Sequence, residues 1–264
     1  MTEPRDTLMD RLGRVMAARL EEAPPGIEPY THANVAALRR TLRPADVLLV
    51  EGVNRLSVAI KYLTQSTWSH SALYVGDALG RCDDKGEPLR LIEVNLGEGC
   101  VAVPLSRYEF YNTRICRPRH LTPEDTGAVV DFMIQSLGLR YDMKNILDLL
   151  RYFLPQPPIP ARWRRQMLAF GSGDPTRAIC STLIAEAFAR IRYPILPRIT
   201  REFRADTKAR EQRREILHIR HHSLYAPRDF DLSPYFEIVK PTLEAGFDYQ
   251  RLTWSEAGAD STET

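Results

Sequence analysis

Between Asp46 and Arg117 the chain carries five short apolar runs, at residues 46–51, 73–75, 91–96, 101–105 and 114–117, and their spacing restricts the sheet they can build. A parallel pair needs a crossover of a dozen or more residues, usually a helix. After the helix-patterned stretch 54–65, with Leu56, Ile60 and Leu63 on one side, no such crossover divides the remaining runs. They are separated instead by glycine-containing turns such as Gly97-Glu-Gly99, the pattern of an antiparallel meander. Helical patterns resume later. Thr122-Pro-Glu-Asp125 has a capping hydroxyl, a first-position proline and acids in the first turn, and Val129, Phe132, Met133 and Leu137 then form a stripe ending at Gly138. The sum is an α+β protein, with a sheet and helices segregated from it.

With 264 residues, 44% of them hydrophobic, the chain can bury a substantial core. Composition shifts divide it into an N-terminal amphipathic helix at 1–26, a main domain at 40–198 with a helical insertion at 143–175, a charged extension at 199–254 and a disordered tail at 255–264. Within the extension, residues 200–222 mix both charge signs and read as a solvated helix. The N-terminal helix docks on the domain or on a second copy, or contacts a membrane peripherally through its basic face. A net charge of +2 gives no reason to expect nucleic acid. The first residues lack a signal-peptide pattern, and no apolar stretch approaches the roughly 20 residues of a membrane span. Cys82, Cys100, Cys116 and Cys180 are too sparse for a disulfide framework, so a reducing, cytoplasmic setting is expected. Oligomeric state is left open.

Two residues carry the chemistry. Cys180 opens the helix-like run Cys180-Ser-Thr-Leu-Ile-Ala-Glu-Ala-Phe188, at the edge of a stripe formed by Leu183, Ile184, Ala187 and Phe188. His70 stands in the strand-like run Ser69-His-Ser-Ala-Leu-Tyr-Val-Gly76. A lone cysteine is more often structural, and a lone strand histidine more often a core residue. A thiol at a helix start facing an imidazole on a sheet is, however, the apparatus of nucleophilic catalysis, because both the helix dipole and an imidazolium favour the thiolate.

A catalytic imidazole needs an acceptor on its second nitrogen. Strand alternation puts Leu91, Glu93 and Asn95 on one face and Ile92, Val94 and Leu96 on the other. Glu93 is the preferred orienter and Asn95 the fallback. Cys116 and His120 are a weak metal pair with no second pair beside them, and no Gly-rich nucleotide loop is present, so neither metal nor cofactor is expected.

The succession Trp68-Ser-His-Ser-Ala-Leu-Tyr-Val-Gly76, Leu91-Ile-Glu-Val94, Gly99-Cys-Val-Ala-Val-Pro104, Gly138-Leu-Arg-Tyr-Asp142 and Ile179-Cys-Ser-Thr-Leu183 resembles the circularly permuted papain-like amidases of the NlpC superfamily, in particular a YiiX-like branch. In that group the histidine precedes the cysteine. The resemblance covers residues 44–195 and implies a papain-like, NlpC-type fold with an antiparallel sheet or small barrel packed on helices. It also implies Cys180 as nucleophile, His70 as base, Glu93 as orienter and Tyr141 near the oxyanion or substrate. The expected activity is a cysteine hydrolase acting on amide or ester bonds through a thioester. The alternatives are a lipid thioesterase or acyltransferase, which the apolar stripes at 146–154 and 163–170 would suit, and an idle binding module. The substrate is accordingly a small peptide, an amide or a lipid ester. This chain departs from the family pattern at Ile179, where an aromatic is common, and in the long stretch between Tyr141 and Cys180.

Overall fold

The structure is a computed structural model, in which residues 34–95, 98–139, 179–202, 214–218, 221–222, 225–241, 246 and 248–251 are described. The N-terminal helix at 1–26, Tyr141, the insertion at 143–175 and the tail at 255–264 lie outside them.

The first described element is helix α1 (Val35–Thr41), whose N-cap Asn34 accepts from the Ala37 N–H. Strand β1 (Val47–Val50) follows, then helix α2 (Arg55–Thr64). Asn54 caps α2 by accepting from Ser57 N–H at 2.7 Å, and Gln65 ends it in the left-handed region. Strands β2 (His70–Tyr74), β3 (Leu89–Asn95), β4 (Gly99–Pro104) and β5 (Thr113–Pro118) form the run expected from the sequence, with a 3-10 turn at Leu105–Tyr108 between the last two. Helix α3 (Pro123–Gln135) starts at the Thr122 cap. Helix α4 (Ile179–Arg190) carries the candidate thiol. The C-terminal part supplies β6 (Arg198–Glu202), β7 (Arg214–His218), α5 (Pro227–Leu232) and β8 (Phe236–Val239).

Six strands make one antiparallel sheet in the order β4-β3-β2-β1-β5-β8. It is open, with β4 and β8 at its edges, so the sheet form of the expected fold holds and the barrel form does not. Closure needs the edge strands to pair, and these two stand at opposite ends of the order.

Residues 200–202 and 214–218 also differ from expectation. Where a solvated helix was expected, β6 and β7 pair as an antiparallel ribbon, Arg198 opposite His218 and Glu202 opposite Arg214. Mixed charge does not distinguish helix from ribbon. The β-branched Ile199-Thr200 and the Ile216-Leu217 pair opposite them are the strand signal, obscured by the surrounding charges.

Both faces of the large sheet are covered, which explains why Val47-Leu-Leu-Val50 is apolar at every position. On one face Val47, Leu49, Leu73, Ile92 and Val94 pack with Val129 and Met133 of α3, Leu183, Ile184 and Phe188 of α4, and Phe230 of α5. On the other, Leu48, Val50, Ala72, Leu91 and Ile115 pack with Leu38 of α1 and with Leu105 and Tyr108 of the 3-10 turn. A buried ion pair secures the end of the sheet where β1 begins: Arg117 binds Asp46 through Nε and Nη2, and Nη2 also reaches the Thr41 carbonyl at 2.6 Å. Among the described residues no helix is long and apolar enough to cross a membrane.

Phe188 is fully buried, with the rings of Tyr193, Phe230 and Phe236 at 5.3 to 6.4 Å between centroids. Its truncation to alanine leaves a cavity that three aromatic neighbours cannot fill. Phe188→Ala should lower the unfolding free energy by about 3–5 kcal/mol in urea titration; a loss under about 1 kcal/mol would contradict this account of the core.

Candidate active site

β2 starts at His70, opposite Val50 of β1. Two contacts fix the chain just before it. Ser69 Oγ accepts the Gly52 N–H at 2.9 Å, and Trp68 Nε1 donates to Asp231, which Arg114 Nη1 also binds at 2.7 Å. Gly52 lies so close to this junction that a Cβ on it would meet Ser57 Oγ at 2.1 Å and Ser69 Oγ at 2.8 Å. The strand entry is thus held from β1, from α5 and from β5.

α4 packs on β2 and β3. Leu183, Ile184, Ala187 and Phe188 are its buried face, and positions three and four apart share a helix face. Cys180, one turn before Leu183 and Ile184, is therefore turned toward the sheet, where it is 5% exposed. Cys180 lies close enough to His70 for the charge of each to act on the other, and Ser71 also borders the sulfur. The Ser71 hydroxyl is buried and has no hydrogen-bond partner of ordinary geometry among the described residues.

On the other side of the imidazole, His70 Nε2 lies 3.3 Å from Glu93 Oε2. Glu93 is fully buried. Its Oε2 also accepts the Tyr108 hydroxyl, while Oε1 accepts Asn95 Nδ2 at 2.8 Å and stands 3.3 Å from Arg107 Nε. Asn95 also reaches Glu98 at 3.0 Å. The structure thus brings Cys180, His70, Glu93 and Asn95 together, with Glu93 on the imidazole and Asn95 on Glu93. The face of β3 holding Glu93 is covered by the 3-10 turn, which is why this carboxylate is not an ordinary exposed side chain.

The electrostatics distinguish Cys180 from the other buried thiols. Burial alone would raise its pKa, but the charge and proximity of His70, with a smaller effect from Ser71, outweigh burial and lower it. Burial and the Glu93 charge push Cys100 up to about 11, and burial raises Cys116 further. Burial acts to depress the His70 pKa, yet Cys180 and Glu93 together raise it to about 10. Burial would raise Glu93; His70, Tyr108 and Arg107 override it and hold the carboxyl below its usual range. About 20% of the His70 side chain reaches solvent, which leaves the imidazole edge open on one side.

Sequence reasoning missed Tyr108, Arg107 and Ser71. Tyr108 had no signal in the sequence; it is the pairing of Leu89 with Pro104 that brings the turn immediately after β4 to β3. Cys116 lies in the core and His120 in an exposed turn, and among the described residues no three His, Cys, Asp or Glu side chains are grouped to share a metal ion.

No family model matches the chain. The chain is similar to the probable lipoprotein peptidase YaeF of Escherichia coli K12, with 19% identity over 210 residues that cover 73% of this chain and 71% of that protein. Among solved structures it is similar to the metalloprotein YiiX from Escherichia coli O157:H7, with a TM-score of 0.44 and 14% identity over 75% of this chain and 96% of that one.

NMR titration should place the His70 pKa near 10, and lower in Glu93→Gln and Cys180→Ala, each of which removes a group that raises it. A wild-type value near the ordinary 6.5 would contradict the pairing. Stability follows with a worked sign. His70, raised to about 10, contributes stability that is fully present below about pH 6.5 and is lost as pH rises through about 10; Cys180, held below its ordinary range, contributes stability that is lost as pH falls.

Proposed function

We propose that this chain is a cysteine hydrolase that cleaves amide bonds, of the permuted papain-like type in the NlpC superfamily, with Cys180 as nucleophile, His70 as base and Glu93 as its orienter. The observation that carries the reading is a buried thiol beside His70, whose charge lowers the thiol pKa, with His70 Nε2 in turn 3.3 Å from a buried carboxylate. An inert core cysteine has no need of such a chain, and Cys100 and Cys116 have none.

The chemistry follows from the contacts. Glu93 occupies His70 Nε2, so the thiol proton passes to Nδ1 and leaves an imidazolium beside the thiolate. The thiolate attacks the substrate carbonyl carbon. Backbone N–H groups at the start of α4, where the helix dipole favours negative charge, are the donors for the oxyanion that forms. Collapse of the adduct breaks the C–N bond, and His70 returns the proton to the leaving amine. Water, deprotonated by His70, then attacks the thioester, releases the acid and restores the thiol. Tyr141 remains a proposed substrate or oxyanion contact on the grounds of its Gly-x-x-Tyr setting alone. The peptidase name of the similar protein YaeF supports a peptide amide over a lipid ester.

Iodoacetamide labelling and turnover test this directly. Cys180 should be alkylated at pH 6, where an ordinary thiol is under about 1% ionised, and His70→Ala should slow that labelling at least about tenfold. Peptide-amide hydrolysis should vanish in Cys180→Ala, and an acyl adduct should be trapped on Cys180 in the wild type. Labelling indifferent to His70 would favour a binding module, and preferential release from lipid esters would favour the thioesterase reading.

A further inference from the structure

Four side chains meet the Glu93 carboxylate, three as hydrogen-bond partners and Arg107 as an ion pair, and two of the four come from a single 3-10 turn, Leu105–Tyr108, that belongs to neither the thiol helix nor the histidine strand. Tyr108 is 5% exposed, and its ring packs edge-on against Tyr111 with centroids 5.6 Å apart. The same ring stands 6.2 Å from the His70 ring. Its hydroxyl meets the same Glu93 oxygen that receives His70 Nε2. Arg107, half exposed, reaches the other oxygen from the solvent side. A carboxylate bonded to His70 alone could rotate about its terminal torsion and carry the imidazole with it, since that torsion is broad. Donors on both oxygens remove the freedom.

We propose that Tyr108, assisted by Arg107, is a positioning residue of the thiol site, its hydroxyl anchoring the Glu93 oxygen on which the orientation of His70 depends. The proposal rests on the thiol-hydrolase reading above. Tyr108 does not touch Cys180 or the reacting carbonyl; it acts through Glu93. Loss of a partner behind an orienting group commonly costs ten- to a hundredfold in activity. Arg107 contributes by charge as well as contact, and its exposed side chain can be changed with little effect on the core.

The test combines Cys180 alkylation rates with NMR of protein labelled at the histidine ring nitrogens, in the full chain. Tyr108→Phe keeps the ring and removes the hydroxyl; Arg107→Gln keeps a polar side chain and serves if the first variant folds poorly. In the wild type the His70 Nε2–H proton should be protected from exchange. Each single variant should speed that exchange and slow alkylation at pH 7, by about tenfold for Tyr108→Phe. In a Glu93→Gln background the same substitutions should add under about twofold, because the group they act on is gone. Unchanged exchange and alkylation in folded Tyr108→Phe and Arg107→Gln would overturn the proposal. So would a full tenfold loss from Tyr108→Phe in the Glu93→Gln background, which would mean a role apart from Glu93. If His70→Ala labels as fast as wild type, it is the hydrolase reading that fails, and that outcome is separate from either of these.

Discussion

A carboxylate with no surface in water sits at the junction of the sheet, the 3-10 turn and the histidine strand, and its neighbours are arranged around its charge. Removing an ionised carboxylate from water costs several kcal/mol even in a real protein interior unless the charge is paired and hydrogen-bonded. Glu93 meets that condition with Tyr108, Asn95, Arg107 and His70. Three local features bring these four groups: the turn after β4 supplies Tyr108 and Arg107, the end of β3 supplies Asn95, and the start of β2 supplies His70. The carboxylate in turn stabilises an imidazolium, and the imidazolium stabilises a thiolate that burial alone would have disfavoured. A buried thiol, a partly buried imidazole and a buried carboxylate are tolerated together because their charges alternate in sign.

The covered second face of the sheet makes this possible. An antiparallel sheet with one wet face would leave Glu93 solvated, its charge screened and its side chain free to rotate. Leu38, Leu105 and Tyr108 close that face, while α3, α4 and α5 close the other. The thiol arrives with the helices and the carboxylate belongs to the face beneath the turn. His70 joins them because it is the first residue of its strand, where the imidazole is not yet enclosed by the sheet. A position two residues further into β2, such as Ala72, is completely buried and could not serve.

Much of this could be read from residues alone, and the reasons are local. The Thr122 and Asn54 caps, the glycine turns and the alternation in β3 act within a few residues of the chain, so the strands and the α2, α3 and α4 helices fall close to where periodicity puts them. The ribbon at β6 and β7 failed to register because its strand residues are embedded in charge, and charge pattern says little about backbone geometry. Tyr108, Arg107 and Ser71 carried no periodic or motif signal, since their importance comes from what they meet rather than from where they stand in an element.

By itself, the sequence determined an antiparallel α+β protein with a thiol at a helix start, a histidine at a strand start and an acid inside an apolar strand, because hydrophobic period, capping and turn chemistry are short-range effects. Only the tertiary structure decided that the sheet stays open, that both its faces are covered, and that Glu93 rather than Asn95 holds the imidazole. Those outcomes depend on groups 15 to 110 positions apart in the chain meeting in space, as Glu93 meets Tyr108 and His70 meets Cys180. No local pattern encodes such a meeting; the packing of a turn and a helix on opposite faces of one sheet produces it.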